Sequence, residues 1–312
     1  MNKLKEEINV LCPICRNREI TFQSSYRNTS IYFNNLRRVL CNKCGLVFAN
    51  PMPRNKKLEQ YNSNYHLNAH GGHKRDNKLN SFFKGIAKTR LNTIESKIKF
   101  DYTNDYKVLE IGPGPGVFAK EWLTTFPKSN YYAIETDLSI HDNLQKLGVQ
   151  IIKDIENTDY KHYFDIIIIS HVLEHVADPL SFLRSYLSTL KNNGNLFIEV
   201  PCRDWEHKDL DEPHLLFFDK KSMLKLFEEL NLKTVFLGYF GTKIKDLKNP
   251  IFKLISKIRE KLFYRDINLY HPERGRLYKI LNSKLETNAI VNHYAHKEQN
   301  LPSWWLRAII KK

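Results

Sequence analysis

The sequence predicts an α/β protein, a mostly parallel sheet flanked by helices, with a small separate unit at its N-terminal end. The first ground is Val108-Leu109-Glu110-Ile111, followed by Gly112-Pro-Gly-Pro-Gly116 and the helical apolar spacing of Phe118 to Leu123. A short β-branched run, a glycine turn and a helix open a βαβ unit, and ligands sit on such turns. The second ground is Phe164-Asp-Ile-Ile-Ile-Ile169, an unbroken apolar run of the kind buried on both faces of a parallel sheet. The third is a pair of Cys-x-x-Cys motifs, Cys12/Cys15 and Cys41/Cys44, lying ahead of both.

At 312 residues and 42% hydrophobic content, the chain has room for one large domain and an accessory one. The net charge of +15 admits nucleic acid, an anionic membrane surface or phosphorylated substrates as partners. Lysine is spread through the whole chain, however, which fits solvated faces. The sequence has no apolar run of spanning length and no apolar core in its first residues, so a cytoplasmic location is expected. Paired cysteines fit a reducing compartment and a metal better than disulfides.

Each Cys-x-x-Cys pair offers two thiolates to one ion, and two such knuckles make a closed tetrahedral site. Cys12, Cys15, Cys41 and Cys44 are therefore expected to hold a structural Zn2+, with a hairpin of Ile20–Tyr26 and Ile31–Leu40 between them. An iron–sulfur cluster or a redox dithiol is the alternative.

The glycine loop narrows the ligand. A dinucleotide fingerprint would place glycine at position 117, which is Val117. Pro113 and Pro115 remove backbone donors that a phosphate cradle needs. The loop suits a ligand with ribose and adenine but no phosphates. Tyr131 to Ile134 reads as the next strand and ends in Glu135, placed for both ribose hydroxyls.

Together, Glu110 to Gly116, Glu135 and Phe164 to Pro179 resemble the class I S-adenosylmethionine-dependent methyltransferases, over roughly residues 106–240. Within that class the chain looks like the small-molecule enzymes, including those of sugar and surface-polysaccharide pathways. The resemblance implies a Rossmann-like, seven-stranded methyltransferase sheet behind a small zinc-binding domain. It implies that Glu110, Gly112, Gly114, Gly116, Glu135, Asp154 and Ser170 surround S-adenosyl-L-methionine, and that Tyr61 and Tyr65 lean over it. Ordinary helix packing is the other reading of that tyrosine pair, as a surface turn is for Asp154. The family's His-x-x-Glu-His turn, here His171, Glu174 and His175, and its His-Leu-x-x-Phe segment, here with His214, line the acceptor side. An alcohol acceptor must lose a proton, and a histidine is suited to take it; His171, nearest the strand end, stands first, with Glu174 as the orienting partner.

The expected organisation is a zinc ribbon over 1–54, a helical lid or linker over 55–105, the cofactor-binding core over 106–240, a basic amphipathic helical insertion over 241–285, and the last core strand with a basic tail over 286–312. His66, His70 and His73 read as a glycine-broken lid. Residues 82–98 read as a helix at the sheet edge, and Cys202 as a plain cysteine near the cleft. Ala289–Ala295 reads as the final antiparallel strand. The helix from Ile251 to Leu262 could pack on its own protein, form a dimer contact or, with residues 251–264 and the tail from Trp304, meet a membrane surface. The acceptor is expected to be a small molecule or glycan. An RNA methyltransferase is the second reading, although the end of the fourth strand is Ser170-His171-Val172-Leu173 rather than the Pro-Pro signature of base-modifying enzymes. A non-enzymatic cofactor-binding scaffold is the third.

Overall fold

The structure is a computed structural model that describes residues 10–65, 77–153, 155, 158–252, 254 and 296–312. His66, His70, His73, Asp154, nearly all of the basic amphipathic segment and 289–295 lie outside these residues.

The chain begins with β1 (Ile20–Ser25), β2 (Arg37–Cys41) and β3 (Val47–Asn50), then α1 (Asn55–Asn62) and α2 (Asn77–Lys97). The α/β alternation follows: β4 (Lys107–Ile111), α3 (Val117–Thr125), β5 (Asn130–Ile134), α4 (His141–Lys146), β6 (Gln150–Ile151), β7 (Phe164–Ser170), α5 (Pro179–Leu187) and β8 (Leu190–Pro201). The remainder is β9 (Leu216–Phe217), α6 (Lys220–Glu229), β10 (Lys233–Lys243), α7 (Ile244–Leu247), β11 (Glu298–Gln299) and β12 (Ser303–Lys311).

The large sheet runs β11-β10-β12-β8-β7-β4-β5-β6. Strands β6, β5, β4, β7 and β8 are parallel, and β12 runs antiparallel between β8 and β10. Leaving aside the two-residue edge piece β11, this is the expected seven-stranded, Rossmann-like α/β sheet. Along β4 the side chains alternate faces, as a pleated strand requires. Val108 packs with Ile166, Ile168 and Ile309 beneath Leu91, Ile94 and Trp122 of the helices on one side. Leu109 and Ile111 pack with Ile167, Ile198 and Leu306 against Leu183, Leu226 and Phe227 on the other. Helix α2 thus lies across a sheet face rather than at the edge. Helix α6 starts where Asp219 predicts it: its carboxylate accepts from the Ser222 N–H, and the Ser222 hydroxyl caps in return.

The end of the chain requires a correction. The expected surface tail is β12, hydrogen-bonded on both edges and buried from Trp305 to Ile310. Its apolar residues from Trp305 to Ile310 serve the sheet. Among the described residues no helix is long and apolar enough to cross a membrane.

The N-terminal unit is less separate than the sequence suggests. Its sheet, β1-β2-β3-β9, takes its fourth strand from the core, with Val47 opposite Phe217 and Phe48 opposite Leu216. Where a second hairpin arm was expected from Ile31, a 3-10 turn (Ile31–Phe33) precedes the shorter β2.

Candidate active site

Strand β4 pairs with β5 on one side and β7 on the other, so the direction of winding reverses at its carboxyl end. That is where open α/β sheets bind ligands. The glycine loop and the His171–His175 turn both leave the sheet there. Gly112, Gly114 and Gly116 all adopt left-handed φ, of 65°, 55° and 75°. A methyl group at Gly112 would stand 2.6 Å from Val172 Cγ2, so the loop lies directly against the turn that carries the histidines. At Gly114 nothing lies within 4 Å of the Cβ position. The Gly114 N–H donates to Glu135 Oε2 at 3.1 Å, and the Asp137 N–H donates to Glu135 Oε1 at 2.9 Å. Burial raises the Glu135 pKa, opposed by those donors. Ser170 Oγ is buried at the end of β7 with no hydrogen-bond partner.

Glu110 turns away from the loop opening. It is 3% exposed and accepts from the Tyr131 hydroxyl at 2.8 Å. Burial pushes its pKa up to about 7, against the pull of Tyr131 and Arg90. The folded-state value lies above the unfolded one. The stabilising contribution is therefore complete below the unfolded carboxylate value and lost as pH rises through about 7. Urea unfolding between pH 5 and 8 should show roughly 1–3 kcal/mol of such loss. In Glu110→Gln, which keeps an acceptor for Tyr131, that slope should vanish; an unchanged slope would assign it to other groups.

The acceptor side is a cluster of buried charge. His171 sits at φ 56°, a strained conformation for a side chain of its size. Its Nε2 meets Glu199 Oε1 at 2.9 Å, and its Nδ1 stands 3.4 Å from Glu174 Oε1. Burial opposes charge on this ring, but the two carboxylates outweigh it and raise the pKa. Both ring nitrogens of His171 thus face acids. His175 Nδ1 faces the Pro213 carbonyl at 3.3 Å, and burial lowers its pKa to about 4. His214 Nδ1 meets Asp204 Oδ2 at 2.6 Å, and its ring packs edge-on to His175 with centroids 4.9 Å apart. Glu174 is 1% exposed. Its burial favours the neutral form, but the neighbouring His171 and His175 outweigh that and hold it down to about 2. The 3.4 Å contact with His171 lacks hydrogen-bond geometry, and both Glu174 oxygens remain without a hydrogen bond.

Tyr65 reaches this cluster, edge-on to His175 at 5.7 Å. Tyr61 is buried against Phe33 at 5.1 Å, in the packing between α1 and the N-terminal unit. Cys202 is fully buried and free. In the N-terminal unit, Cys12 Sγ lies 3.5 Å from Cys44 Sγ, and Cys15 Sγ lies 3.5 Å from Cys41 Sγ. One sulfur from each falls within 4.8 Å of the others. This donor set and spacing suit a tetrahedral thiolate site. The contact with Cys44 draws the Cys12 thiol down to about 5, and the same contact pushes Cys44 up.

Sequence reading missed the partners behind these residues. Glu199 is fully buried and meets Arg90, Arg307 and His171. The signal was one acid within Leu196–Val200 and one base within Trp304–Ile310, each a lone charge in an apolar strand, which must find a partner when buried. Asp204 and the clamp on its loop carried no such signal. Arg27 and Arg38 both bond to the buried Asp211, Glu212 accepts from the Thr29 and Ser30 N–H groups, and the Tyr26 hydroxyl donates to the His214 carbonyl.

The sheet order, the glycine loop at its switch point and the polar turn beside it define an α/β methyltransferase fold. A family model described as a methyltransferase domain matches residues 68–237, just over half of the chain, and the chain belongs to that family. It is similar to the ubiquinone biosynthesis O-methyltransferase of Haemophilus ducreyi, 31% identical over 107 residues, covering 30% of this chain and 44% of that protein. The corresponding protein of Histophilus somni is 31% identical over 131 residues, covering 38% and 53%. The chain thus spans about half the length of the curated relatives it matches. Similar solved structures include coclaurine N-methyltransferase bound to N-methylheliamine and SAH (14% identity, 72% of each chain, TM-score 0.45). A SAM-dependent methyltransferase from Archaeoglobus fulgidus is another (16% identity, 73% of this chain and 94% of that one, TM-score 0.47).

Proposed function

We propose that the chain transfers a methyl group from S-adenosyl-L-methionine to a hydroxyl of a small-molecule acceptor, most simply a sugar or sugar-derived precursor of a surface polysaccharide. The observation that supports this reading is the close approach of Gly112 to Val172, on the turn that leads to Glu174 and His175, together with the open space at the Cβ position of Gly114. Family membership and the O-methyltransferase relatives support the reaction type; the resemblance in the N-terminal cysteine unit supports the sugar class.

Bound in this cleft, the cofactor would supply an electrophilic methyl group and take back the carbon–sulfur electron pair as the acceptor oxygen attacks. The protein's own work is to hold and align. Gly114 lets the backbone come close. Glu135 keeps lone pairs for the ribose hydroxyls, and the orphaned Ser170 hydroxyl awaits a partner. The acceptor hydroxyl faces the histidine cluster. Nδ1 of His175 and His214 face Pro213 and Asp204, which leaves the Nε2 atoms as the ring positions toward the acceptor. His171, clasped by two carboxylates, holds the turn in place. The four cysteines hold a structural zinc, and the protein works in the cytoplasm without crossing a membrane.

Calorimetry with S-adenosylhomocysteine tests the cofactor site. Gly114→Ala should fold with a loss of about 1 kcal/mol for its left-handed φ, yet bind at least ~10-fold more weakly, because the methyl group enters ligand space. Gly112→Ala should instead lose roughly 1–3 kcal/mol of stability through its clash with Val172. Full affinity in Gly114→Ala, or no binding by the parent protein, would remove the assignment. Methyl incorporation from labelled cofactor into pools of nucleotide sugars, glycolipids and RNA then identifies the acceptor class.

A further inference from the structure

We propose that Glu174, His175 and His214 bind one divalent transition-metal ion, at a site distinct from the four cysteines. Among the described residues, these three place one ligand atom each within 4.8 Å of one another. Glu174 is the independent pointer to a ligand: it is 1% exposed and neither oxygen has a hydrogen bond, with His171 Nδ1 the near neighbour of Oε1 at 3.4 Å. Buried carboxylates are otherwise satisfied by donors or coordinate cations.

The surroundings of the two imidazoles fit the same role. Metal-binding histidines characteristically donate their remote N–H to a carboxylate or a backbone carbonyl, which fixes the ring and its tautomer. Here Asp204 holds Nδ1 of His214 at 2.6 Å, and the Pro213 carbonyl faces Nδ1 of His175 at 3.3 Å. Both Nε2 lone pairs are left for a cation, and His175 Nε2 stands 3.8 Å from Glu174 Oε1. Two nitrogen donors and one oxygen donor select zinc, iron(II), manganese(II) or cobalt(II) over magnesium and calcium, which prefer all-oxygen shells. Three protein ligands leave coordination positions open, unlike the closed thiolate site.

The ion's role rests on the methyltransferase reading; its binding does not. An acceptor hydroxyl occupying an open position would lose its proton to water at neutral pH, as hydroxyls on such ions do. The oxygen lone pair then forms the bond to the methyl carbon while the carbon–sulfur pair returns to sulfur. In that case His175 and His214 act as ligands and not as proton acceptors.

The test titrates Mn2+ into full-length protein carrying one zinc per chain, so that only the tighter four-cysteine site is filled, and follows free ion by paramagnetic resonance. Co2+ absorption serves as a second reading, since a thiolate-free site gives only weak d–d bands. One Mn2+ per chain is expected, with affinity lowered at least ~30-fold in Glu174→Gln and in His214→Asn, and about 10–100-fold in Asp204→Asn. No Mn2+ or Co2+ binding by the parent protein outside the cysteines, or equal binding by folded Glu174→Gln and Asp204→Asn, overturns the site. Circular dichroism checks each fold, and if Glu174→Gln does not fold, Asp204→Asn decides. Calorimetry with S-adenosylhomocysteine on the same samples separates the two claims. Nucleoside binding without the ion sinks the metal site alone. Ion binding without nucleoside binding supports the site and sinks the methyltransferase reading.

Discussion

Arg307→Met is expected to cost about 3 kcal/mol of stability, in the range for removing one partner of a buried ion pair. Arg307 and Glu199 are both fully buried, with Arg307 Nε donating to Glu199 Oε2 at 2.6 Å. The guanidinium also bonds to Thr89 O, Thr89 Oγ1 and Thr93 Oγ1 on α2, tying that helix to β12. The two partners respond to burial differently. Glu199 is ionised well below the usual carboxylate range, because Arg90, Arg307 and His171 outweigh its burial; Arg307, sharing one acid with Arg90, is pushed down by burial. An arginine starts so high that it stays charged regardless, so the depressed Glu199 decides the sign: this acid needs its cations. Arg90 and His171 remain after the substitution, which keeps the loss near the lower end of the range. Glu199→Met alone should be comparably harmful, leaving Arg307 without its acid. The double variant should be less destabilised than the sum of the two, since neither charge is then stranded. Urea unfolding of the four proteins makes the cycle; strict additivity would show that the pair is not coupled.

The same pair shows where the sequence stops being informative. Val108–Ile111, Phe164–Ile169 and the glycines declare themselves because their signal is local: period, β-branching and turn chemistry lie within a dozen residues. The sheet order and the place of the ligand follow from the rules that connect such units. The Glu199–Arg307 bond joins residues 108 apart. Nothing in either strand says which lone charge meets which. Trp304–Lys311, with its basic residues, reads as an interfacial segment as well as a strand. Only the rule that a buried strand's single charge requires a partner distinguishes the two. In the candidate site, His171, Glu174, His175 and His214 stood out by residue type. The roles separating them depend on Glu199, Asp204 and the Pro213 carbonyl, reached through tertiary contacts. Likewise, the cysteine pairs stood out as a set, but nothing in them says that their unit would grip the loop carrying His214.

That grip makes Cys44→Ser the more consequential substitution for catalysis. Ile14, Phe33, Val39, Leu46 and Phe48 of the N-terminal unit pack around the four cysteines, and this packing is continuous with the core of the large sheet. The zinc proposed for the cysteines would tie the outer loops of the unit together, and binding free energies on the order of 10 kcal/mol are typical of structural zinc. Losing one thiolate should leave the unit unfolded or frayed. The damage then passes to the acceptor side along a defined route. Tyr26 no longer holds the His214 carbonyl, Arg27 and Arg38 release Asp211, Thr29 and Ser30 release Glu212, and β9 loses its partner β3. The glycine loop and Glu135 stand on the other sheet and touch none of these groups. Cys44→Ser should therefore keep its affinity for S-adenosylhomocysteine within about threefold while methyl transfer falls at least ~100-fold, since misplacing a reacting group by an ångström costs about that much. Arg38→Ala, which spares the metal but cuts one strut to Asp211, should reproduce part of the loss in turnover with zinc content unchanged. Equal loss of cofactor affinity and turnover in Cys44→Ser would mean general unfolding instead of a displaced loop. Normal turnover with the metal gone would show that His214 keeps its place without the N-terminal unit.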